Sequence, residues 1–388
     1  MLNIANRMNS VKTLIFSELN NYKKRKQQEG MEMIDLSIGS PDQPPPSFVI
    51  ESLAADVKDP AQYGYTISGI DAFHHAVSSY YQERFNVKVD PHKEVIQLMG
   101  SQDGIVHLPL VFCNPGDIIL VPDPGYTAYE SGVHIAEAEG YPMPLLEENG
   151  FLPDLSKIPE DIAKKAKMMI LNFPGNPIPA LATKEFFTEV VAFAKKYNII
   201  VAHDFAYSEL IFDQKQPVSF LSIEGAKDVG VEFNSLSKSF NMAGTRIGFL
   251  CGNEEVIQLF QRLKSHVDYG IFEPIQRAAV KALTQGQNFL KQNAKLYERR
   301  RDFLINGLAN IGWKIKPSEA TMFIWAKIPA GKQSLSFTYE LMDKAGVVVT
   351  PGIAFGEHGE GYVRIALVQD EKTLLKVIER IEKSGIIA

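Results

Sequence analysis

The segment VEFNSLSKSFNMAGTRIGF, residues 231–249, places a lysine directly after an apolar run that predicts a buried strand. Lys238 follows Ser235 and Ser237 closely, and Arg246 comes eight residues later. A lysine at the end of a buried strand is partly desolvated, which lowers its pKa and makes its amine a nucleophile. Serine hydroxyls and a guanidinium suit a phosphate group. Taken alone, the segment also fits a surface lysine in a polar loop. Residues elsewhere in the chain distinguish this interpretation from a desolvated nucleophile.

Polar residues also stand at the ends of three other apolar runs. Asp204 ends the run IIVAHD, and Asn176 lies in MMILNFPGNP. Gly100-Ser101-Gln102 stands where VIQLMG ends and a helical pattern begins, so backbone N–H groups and a hydroxyl face any anion there. Open α/β sheets bind ligands beyond the carboxyl ends of their strands. We therefore expect these side chains to meet at one edge of one sheet.

Pyridoxal phosphate is a cofactor that matches these parts. It requires a lysine that forms an imine, a carboxylate that keeps the ring nitrogen protonated, and a pocket for a dianionic phosphate. Lys238 and Asp204 are predicted to fill the first two roles, so that the ring withdraws electrons from the substrate α-carbon. Ser101, Ser235 and Arg246 are expected to hold the phosphate.

The remaining cofactor contacts are expected from residues near these motifs. Tyr126, in the turn PDPGYTAY, is predicted to stack on the ring, although a half-buried loop tyrosine is the alternative interpretation. Tyr207 follows Asp204 by three residues and is expected to hydrogen-bond the phenolic oxygen of the ring together with Asn176. The predicted cofactor-binding set is completed by three neighbours of these residues: Gly100, Gln102 and Ser237.

Eight motifs, in this order and spacing, resemble the fold-type I pyridoxal-phosphate-dependent aminotransferases of class I/II. They are SIGSPDQPPP, YGYTISG, GSQDGI, PDPGYTAY, NFPGNP, HDFAYSELIFD, SLSKSFNMAGTRIGF and VVVTPGIAFGEHGEGYVRIAL. The resemblance runs from near the N-terminus to the last predicted helix. The sequences of HDFAYSELIFD and VVVTPGIAFGEHGEGYVRIAL are similar to those of the branch that contains the LL-diaminopimelate and alanine aminotransferases.

The resemblance implies further site residues and an assembly. It implies a homodimer with active sites at the subunit interface, and it assigns Arg364 to the substrate α-carboxylate and Gly39 to a backbone contact with that group. With Asn176 these residues form the expected substrate-binding set. A tyrosine of YGYTISG is expected to reach the phosphate of the neighbouring subunit; Tyr63 is favoured over Tyr65.

Arg364 is also notable without the resemblance, because an arginine in an apolar strand is costly to bury without a purpose. Its planar fork suits a carboxylate better than a lysine does. An ion pair within the protein is the alternative interpretation of Arg364.

The motif NFPGNP departs from the family pattern, since Ile178-Pro179 replaces the usual Thr-Gly, and we expect the local loop geometry to differ.

The elements that position these residues alternate between short apolar runs and helical patterns, which predicts an α/β protein. Seven runs are expected to form a mostly parallel sheet: 95–100, 117–121, 140–146, 168–173, 199–203, 231–235 and 247–252. Helices are predicted at 101–113, with Pro109 interrupting the pattern, and at 183–198.

The C-terminal part of the chain predicts a small α+β domain. Strands are expected in KIKP, MFIWAKI and YVRIAL, beside helices at 335–345 and 370–384, and a long helix is expected to bridge two domains. Phe323 and Trp325 alternate in the second of these strands, and one of them is expected to line the substrate pocket. The predicted division is an N-terminal arm at 1–45 that joins the small domain, a large cofactor-binding domain at 46–288 and a small domain at 289–388.

Composition limits the partners and the compartment. The chain has 388 residues and a formal charge of −6, so there is no basic surplus for a nucleic-acid partner. Only Cys113 and Cys251 occur, which favours a reducing compartment, and no apolar stretch is long enough to span a membrane. We expect a cytoplasmic protein without a nucleic-acid or membrane partner. His74-His75 lacks acidic partners at ligand spacing, so no metal site is predicted.

The predicted function is an aminotransferase that moves an amino group from an amino acid to 2-oxoglutarate or pyruvate by a ping-pong mechanism. The nearest alternative is a pyridoxal-phosphate-dependent C–S β-lyase on the same fold, acting on a substrate such as cystathionine. A non-catalytic regulator is disfavoured because the lysine is present. If the substrate has an acidic side chain, a second arginine is expected to bind it, and Arg7, Arg25 and Arg262 are equal candidates.

Overall fold

The structure is a computed structural model that describes residues 4–9 and 15–387. Within these residues the strands are β1 (Ile34–Asp35), β2 (Val95–Leu98), β3 (Ile118–Asp123), β4 (Glu139–Pro144), β5 (Ala166–Leu171), β6 (Ile200–Asp204), β7 (Gly230–Ser235), β8 (Gly248–Gly252), β9 (Phe323–Lys327), β10 (Val347–Val348), β11 (Thr350–Pro351) and β12 (Tyr362–Ala366).

The same residues form α-helices and short 3₁₀ turns. The α-helices are α1 (Ile15–Gln28), α2 (Ser47–Asp56), α3 (Asp71–Phe85), α4 (Ser101–His107), α5 (Pro109–Phe112), α6 (Thr127–Ile135), α7 (Glu160–Lys165), α8 (Lys184–Tyr197), α9 (Ala226–Val229), α10 (Leu236–Ser239), α11 (Glu254–Val267), α12 (Glu273–Gln285), α13 (Gln287–Asn310), α14 (Ser334–Ala345) and α15 (Glu371–Ser384). The 3₁₀ turns are Asn6–Asn9, Pro60–Tyr63, Glu147–Asn149, Leu155–Lys157, Phe220–Ser222, Ala243–Thr245, Gly352–Phe355 and Glu357–Gly359.

The large sheet has seven strands in the order β2-β8-β7-β6-β5-β3-β4. Strand β8 runs antiparallel to both of its neighbours, and the other pairings are parallel. All residues of β3 and β7 are buried, as expected for a sheet covered by helices on both faces. The predicted α/β fold with a mostly parallel seven-stranded sheet is confirmed.

Helix α8 shows how local sequence sets the elements around this sheet. The hydroxyl of Thr183 accepts a hydrogen bond from the backbone N–H of Phe186 at 3.2 Å and caps the helix start. The helix ends at Asn198, which adopts the left-handed conformation with φ 57°. Its apolar face, which includes Phe187 and Val190, is buried in the main core. The helix predicted at 183–198 is therefore confirmed, whereas the one predicted at 101–113 is divided at Leu108 into α4 and α5.

The C-terminal part contains a second, three-stranded sheet in the order β11-β12-β9, with antiparallel pairings. Strands β9 and β12 coincide with two predicted strands, but KIKP (314–317) is not a strand. Its single buried apolar side chain, Ile315, packs into the core of this region, and no strand pairs with the segment. One buried residue therefore accounts for the apolar signal that suggested a strand.

The N-terminal arm contacts the C-terminal part, because β1 pairs in parallel with β10. A separate apolar core contains Ile34 and Leu36 together with residues from β9, β12 and α15. This core also contains Tyr207, Leu210 and Phe212, which follow β6, and the division at 1–45, 46–288 and 289–388 stays a prediction. Among the residues that the structure describes, no helix is both long and apolar enough to cross a membrane.

Candidate active site

A cavity of about 370 Å³ lies at the edge of the large sheet where β6 and β7 end. Strand β6 ends at Asp204 and β7 ends at Ser235, so two neighbouring parallel strands deliver polar side chains to the same edge. The structure brings together most of the residues predicted from sequence, since the cavity is lined by Gly39, Ser101, Gln102, Tyr126, Asn176, Asp204, Tyr207, Ser235, Ser237, Lys238, Arg246 and Arg364.

Lys238 lies in the short helix α10, which Ser235 caps by accepting a hydrogen bond from the N–H of Ser237. Its Nζ donates to the carbonyl oxygen of Gly39 at 2.5 Å. Burial, reinforced by the positive charges of Arg364 and Arg246, lowers the pKa of Lys238 to about 8. The amine is therefore partly neutral near physiological pH and able to act as a nucleophile or a base.

The lowered pKa of Lys238 predicts the pH dependence of its reactivity in the cofactor-free protein. Only the neutral amine is nucleophilic, so its reaction rate with trinitrobenzenesulfonate should rise with pH and level off above about 8. An ordinary lysine would level off only above its usual pKa of about 10.4. The measurement is the labelling rate of the Lys238 peptide from pH 6 to 11, with a Lys238→Arg protein as the background. A midpoint above pH 10 would contradict the desolvated setting.

Asp204 is buried at the end of β6 and has two hydrogen-bond donors. Tyr129 Oη donates to Oδ2 at 2.9 Å, and the N–H of Ala206 donates to Oδ1 at 3.2 Å. Burial raises the pKa of Asp204, because no basic side chain is paired with this carboxylate among the described residues. A cationic nitrogen facing Asp204 from the cavity would offset that cost.

The cavity lining also combines hydroxyls with a guanidinium. Ser235 Oγ donates to Ser237 Oγ at 2.9 Å, and Arg246 Nη1 donates to the carbonyl of Ala243 at 3.0 Å. Gly100 has φ 78°, and a Cβ there would lie 2.4 Å from Arg246 Nη2. The left-handed backbone at position 100 favours glycine, the missing side chain leaves room for Arg246, and these donors together suit a phosphate.

Arg364 lies in β12 with 4 % of its surface exposed, and the described residues offer it no acidic partner. Nη1 donates to Asn176 Oδ1 at 2.7 Å, Nη2 donates to the carbonyl of Ser37, and Nε has no partner. Burial lowers its pKa to about 10, which still leaves it charged at neutral pH. A buried cation with an unused donor calls for an anion from outside the protein.

The aromatic residues divide between the cavity and the outer surface. Tyr126 Oη donates to Gln102 Oε1 at 3.0 Å, and Tyr207 is buried against Phe323 with ring centroids 5.8 Å apart. Burial raises the pKa of both hydroxyls. Tyr63 is not brought to this cavity: it is 64 % exposed, and its hydroxyl donates to the carbonyl of Val57 at 2.8 Å.

The chain matches the family description "Aminotransferase class I and II" over residues 31–381. The protein belongs to this aminotransferase family. It is 45% identical over 383 residues to the LL-diaminopimelate aminotransferase of Halothermothrix orenii, covering 98% of each chain. It is 44% identical over 380 residues to the enzyme of that name from Moorella thermoacetica, covering 98% of this chain and 97% of the other.

A solved structure agrees with these relatives. The substrate-bound BacF structure from Bacillus subtilis superposes with a TM-score of 0.95 at 39% identity, covering 100% of this chain and 99% of the other. The protein is thus a pyridoxal-phosphate-dependent aminotransferase of fold type I, which moves an amino group from an amino acid to a 2-oxo acid. The compared relatives give no support for the β-lyase alternative.

The cavity of this aminotransferase fits pyridoxal phosphate in charge and shape. Lys238 is a desolvated amine, Asp204 is a buried carboxylate without a cationic partner among the described residues, and Gly100 leaves space beside Arg246. These groups complement an aldehyde, a protonated ring nitrogen and a phosphate, respectively.

Sequence reasoning missed several residues of this aminotransferase site. Tyr129 supports Asp204, and Asn293 Nδ2 donates to the carbonyls of Lys238 at 3.1 Å and Ser239 at 3.2 Å. Only Tyr129 had a detectable signal, because it lies three residues after Tyr126 on the same helical turn. The cavity lining adds Phe16, Ser37, Ile38, Thr127, Asn172, Ala206, Ala243 and Phe355. Of the two aromatic residues expected at the substrate pocket, Phe323 lines the cavity and Trp325 does not.

The loop that departs from the family pattern and the three candidates for a second arginine can both be placed in the structure. Ile178, in the loop that departs from the family pattern, is buried in the main core, and its carbonyl accepts a hydrogen bond from the N–H of Gly175 at 2.9 Å. The candidates for a second arginine, Arg7, Arg25 and Arg262, do not line the cavity of this chain.

Proposed function

We propose that Lys238, Asp204 and Tyr207 are the catalytic residues of this aminotransferase and that Arg364 binds the substrate carboxylate. The observation that supports this most strongly is that Arg364, a buried cation, has no acidic partner in the described part of the chain and lies in the cavity that also contains Lys238. An amino-acid enzyme needs a two-pronged donor for the α-carboxylate, and the guanidinium supplies it. The amino group of a substrate bound there lies within the same cavity as Lys238.

Pyridoxal phosphate, when bound, supplies a carbon that takes up the amino group and a ring that withdraws electrons from the substrate α-carbon. Nζ of Lys238 accepts the proton from the substrate α-carbon as a general base. Asp204 Oδ atoms, oriented by Tyr129, hold the proton on the ring nitrogen. Tyr207 and Asn176 are assigned to the phenolic oxygen, and Tyr126 is assigned to stack on the ring.

The cofactor phosphate and the substrate carboxylate have separate binding sets in this proposal. Gly100, Ser101 and Gln102 face the phosphate with Ser235, Ser237 and Arg246. Gly39 and Asn176 join Arg364 at the substrate carboxylate. Arg246 is thereby assigned to the cofactor phosphate and Arg364 to the substrate carboxylate, so the two anions do not compete for one guanidinium.

We infer that LL-diaminopimelate is the amino donor and 2-oxoglutarate the acceptor. Support comes from relatives that bear the name LL-diaminopimelate aminotransferase and are 41–45% identical to this chain over nearly its whole length. A second candidate is a donor with a large apolar side chain, favoured by Phe16, Phe323 and Phe355 in the cavity wall.

A donor comparison tests the substrate proposal. With 2-oxoglutarate as the acceptor, kcat/KM for LL-diaminopimelate should exceed that for phenylalanine by about tenfold or more. A pocket that hydrogen-bonds a polar side chain leaves its polar groups unpaired when an apolar side chain binds, and that costs at least this factor. The measurement is glutamate formation, with L-alanine and L-lysine as further donors. A higher kcat/KM for phenylalanine would replace the proposal with the second candidate.

We propose that the protein acts as a homodimer with the aromatic surface around Tyr63 at its interface. Tyr63 lies 5.1 Å from Phe272, and Tyr65 lies 5.1 Å from Tyr269, as measured between ring centroids. These four rings are 37–83 % exposed, and contiguous apolar surface of this kind marks a protein interface. The family resemblance supports a second copy of the chain as the partner.

The two tyrosines offer a matched test of the shared site. Tyr63→Phe should weaken pyridoxal phosphate binding by about tenfold, the scale of one hydrogen bond to a charged group. Tyr65→Phe should leave it within about twofold. The measurement is the cofactor dissociation constant of each dimer, with sedimentation velocity as a control for assembly. The reverse ranking would assign the contact to Tyr65.

The division at 1–45, 46–288 and 289–388 and a cytoplasmic location complete the proposal. The first is supported by the β1–β10 pairing, which ties the arm to the C-terminal part. The second rests on the low cysteine content of the chain.

A further inference from the structure

A buried acid–base pair lies in the large sheet directly behind the site. His203 on β6 and Glu232 on β7 are register partners, and both side chains are fully buried. His203 Nδ1 and Glu232 Oε2 are 2.9 Å apart. Neither residue lines the cavity. Burying such a pair is costly and adds little net stability compared with apolar residues, so stability alone does not explain its place in the sheet.

The other hydrogen bonds of Glu232 determine what His203 does. Glu232 accepts from Tyr81 Oη at 2.8 Å, from Ser219 Oγ at 2.9 Å and from the N–H of Phe220 at 2.8 Å. An ionised carboxylate only accepts hydrogen bonds, so the contact with His203 places a proton on Nδ1. The carboxylate is held from three other directions and therefore fixes the orientation of the imidazole ring.

The other nitrogen of this ring faces the backbone of Phe173. Nε2 lies 3.3 Å from the Phe173 nitrogen and 3.1 Å from its oxygen. A neutral ring accepts from the N–H, and a protonated ring donates to the carbonyl, so the contact persists in both charge states. Phe173 belongs to the loop 172–177, which this contact anchors to the sheet.

The anchored loop connects to the site through its own hydrogen bonds. Asn172 Nδ2 donates to the Asp204 carbonyl at 2.7 Å, and Asn172 Oδ1 accepts from the N–H of Asn176 at 2.8 Å. Asn176 Oδ1 then accepts from Arg364 Nη1 at 2.7 Å. A continuous series of contacts therefore runs from Glu232 to the guanidinium proposed to bind the substrate carboxylate.

We propose that Glu232 and His203 are positioning residues for substrate carboxylate binding. They hold the loop 172–177 so that Asn176 keeps the Arg364 guanidinium aligned. This inference rests on the proposed role of Arg364. Loss of the His203–Phe173 contact lets the loop shift, which weakens binding of carboxylate substrates while Lys238 remains in place.

Two substitutions at His203 separate its two contacts. Asparagine places an amide nitrogen near the position of Nδ1 and keeps the bond to Glu232, whereas glutamine reaches the position of Nε2 and keeps the bond to Phe173. We expect His203→Asn to raise KM for the amino donor about tenfold with kcat within about threefold, since small misplacements of binding groups carry costs of this size. His203→Gln should stay within about threefold of the wild type in KM.

Tyr81→Phe is the matched structural control, because it removes one hydrogen bond from the same carboxylate, which Ser219 and the N–H of Phe220 continue to hold, and it does not touch the loop. It should lower the melting temperature and leave KM unchanged. The inference is overturned if His203→Asn keeps the wild-type KM, or if both His203 variants and Tyr81→Phe raise KM equally. Failure of the proposed function would appear separately, as a wild-type protein whose Arg364→Lys variant shows no loss specific to carboxylate donors.

A measurement on the unsubstituted holoenzyme keeps the test decisive if the variants do not fold. Nitrogen-15 NMR of labelled histidines should show a slowly exchanging proton on Nδ1 of His203. A His203 ring protonated only on Nε2 would contradict the orientation by Glu232 and overturn the inference.

Discussion

Replacing Lys238 with alanine is expected to lower kcat by roughly 10⁴-fold, the upper range for loss of a positioned general base. The amine is desolvated and lies in the same cavity as Asp204 and Arg364, and no other lysine lines that cavity in the described part of the chain. The measurement is the rate of amino transfer at saturating donor and acceptor. Borohydride treatment of the wild-type holoenzyme should attach the cofactor to the peptide that contains Lys238.

The control for this experiment is the fold of the variant. Lys238→Ala should retain the wild-type melting temperature within a few degrees, because among the described residues the side chain makes one polar contact, with the carbonyl of Gly39. A folded Lys238→Ala protein that turns over at the wild-type rate would refute the assignment.

Replacing Arg364 with lysine is expected to reduce kcat/KM for amino acids by roughly 2–4 kcal/mol, the scale for losing a partner of a buried charged pair. Lysine keeps the charge but loses the planar fork that Asn176 and Ser37 orient. Affinity for the cofactor should barely change, since Arg246 is the cation assigned to the phosphate. The measurement compares an amino acid with the corresponding amine that lacks the carboxylate.

Arg300 supplies a matched control for this substitution. It is as buried as Arg364, but its Nη1 and Nη2 donate to the two carboxylate oxygens of Asp42 at 2.7 and 2.8 Å. Arg300→Lys should therefore reduce stability without discriminating between amino acids and amines. If Arg364→Lys gave equal losses for both substrate types, Arg364 would serve the structure rather than the substrate.

The residues predictable from sequence are those whose position follows from the end of a strand. Asp204 and Ser235 end parallel neighbouring strands, so their meeting at one sheet edge follows from strand order alone. Lys238 comes three residues after Ser235 and is brought in by the same geometry. The apolar runs predict most strands of the large sheet because β2, β3, β7 and β8 are buried along their whole length and are nearly continuous in hydrophobicity, whereas the edge strand β4 is largely exposed.

The residues that sequence did not reveal depend on packing between distant segments. Asn293 reaches the Lys238 carbonyl from 55 positions away, on a helix whose pattern indicates only an apolar stripe. Phe16 comes from the N-terminal arm, which has no periodic relation to the sheet. The pairing of His203 with Glu232 requires knowledge of strand register, which neither segment encodes by itself.

The most direct test of transamination at this site is a reaction with an amino donor and no acceptor. A site that must pass the amino group on before it can react again should release about one equivalent of 2-oxo acid per subunit and then stop. Adding 2-oxoglutarate should restart turnover and produce glutamate, and Lys238→Ala should give no such burst. Steady release of ammonia and pyruvate from cystathionine, without any acceptor, would contradict the account and make the protein a lyase.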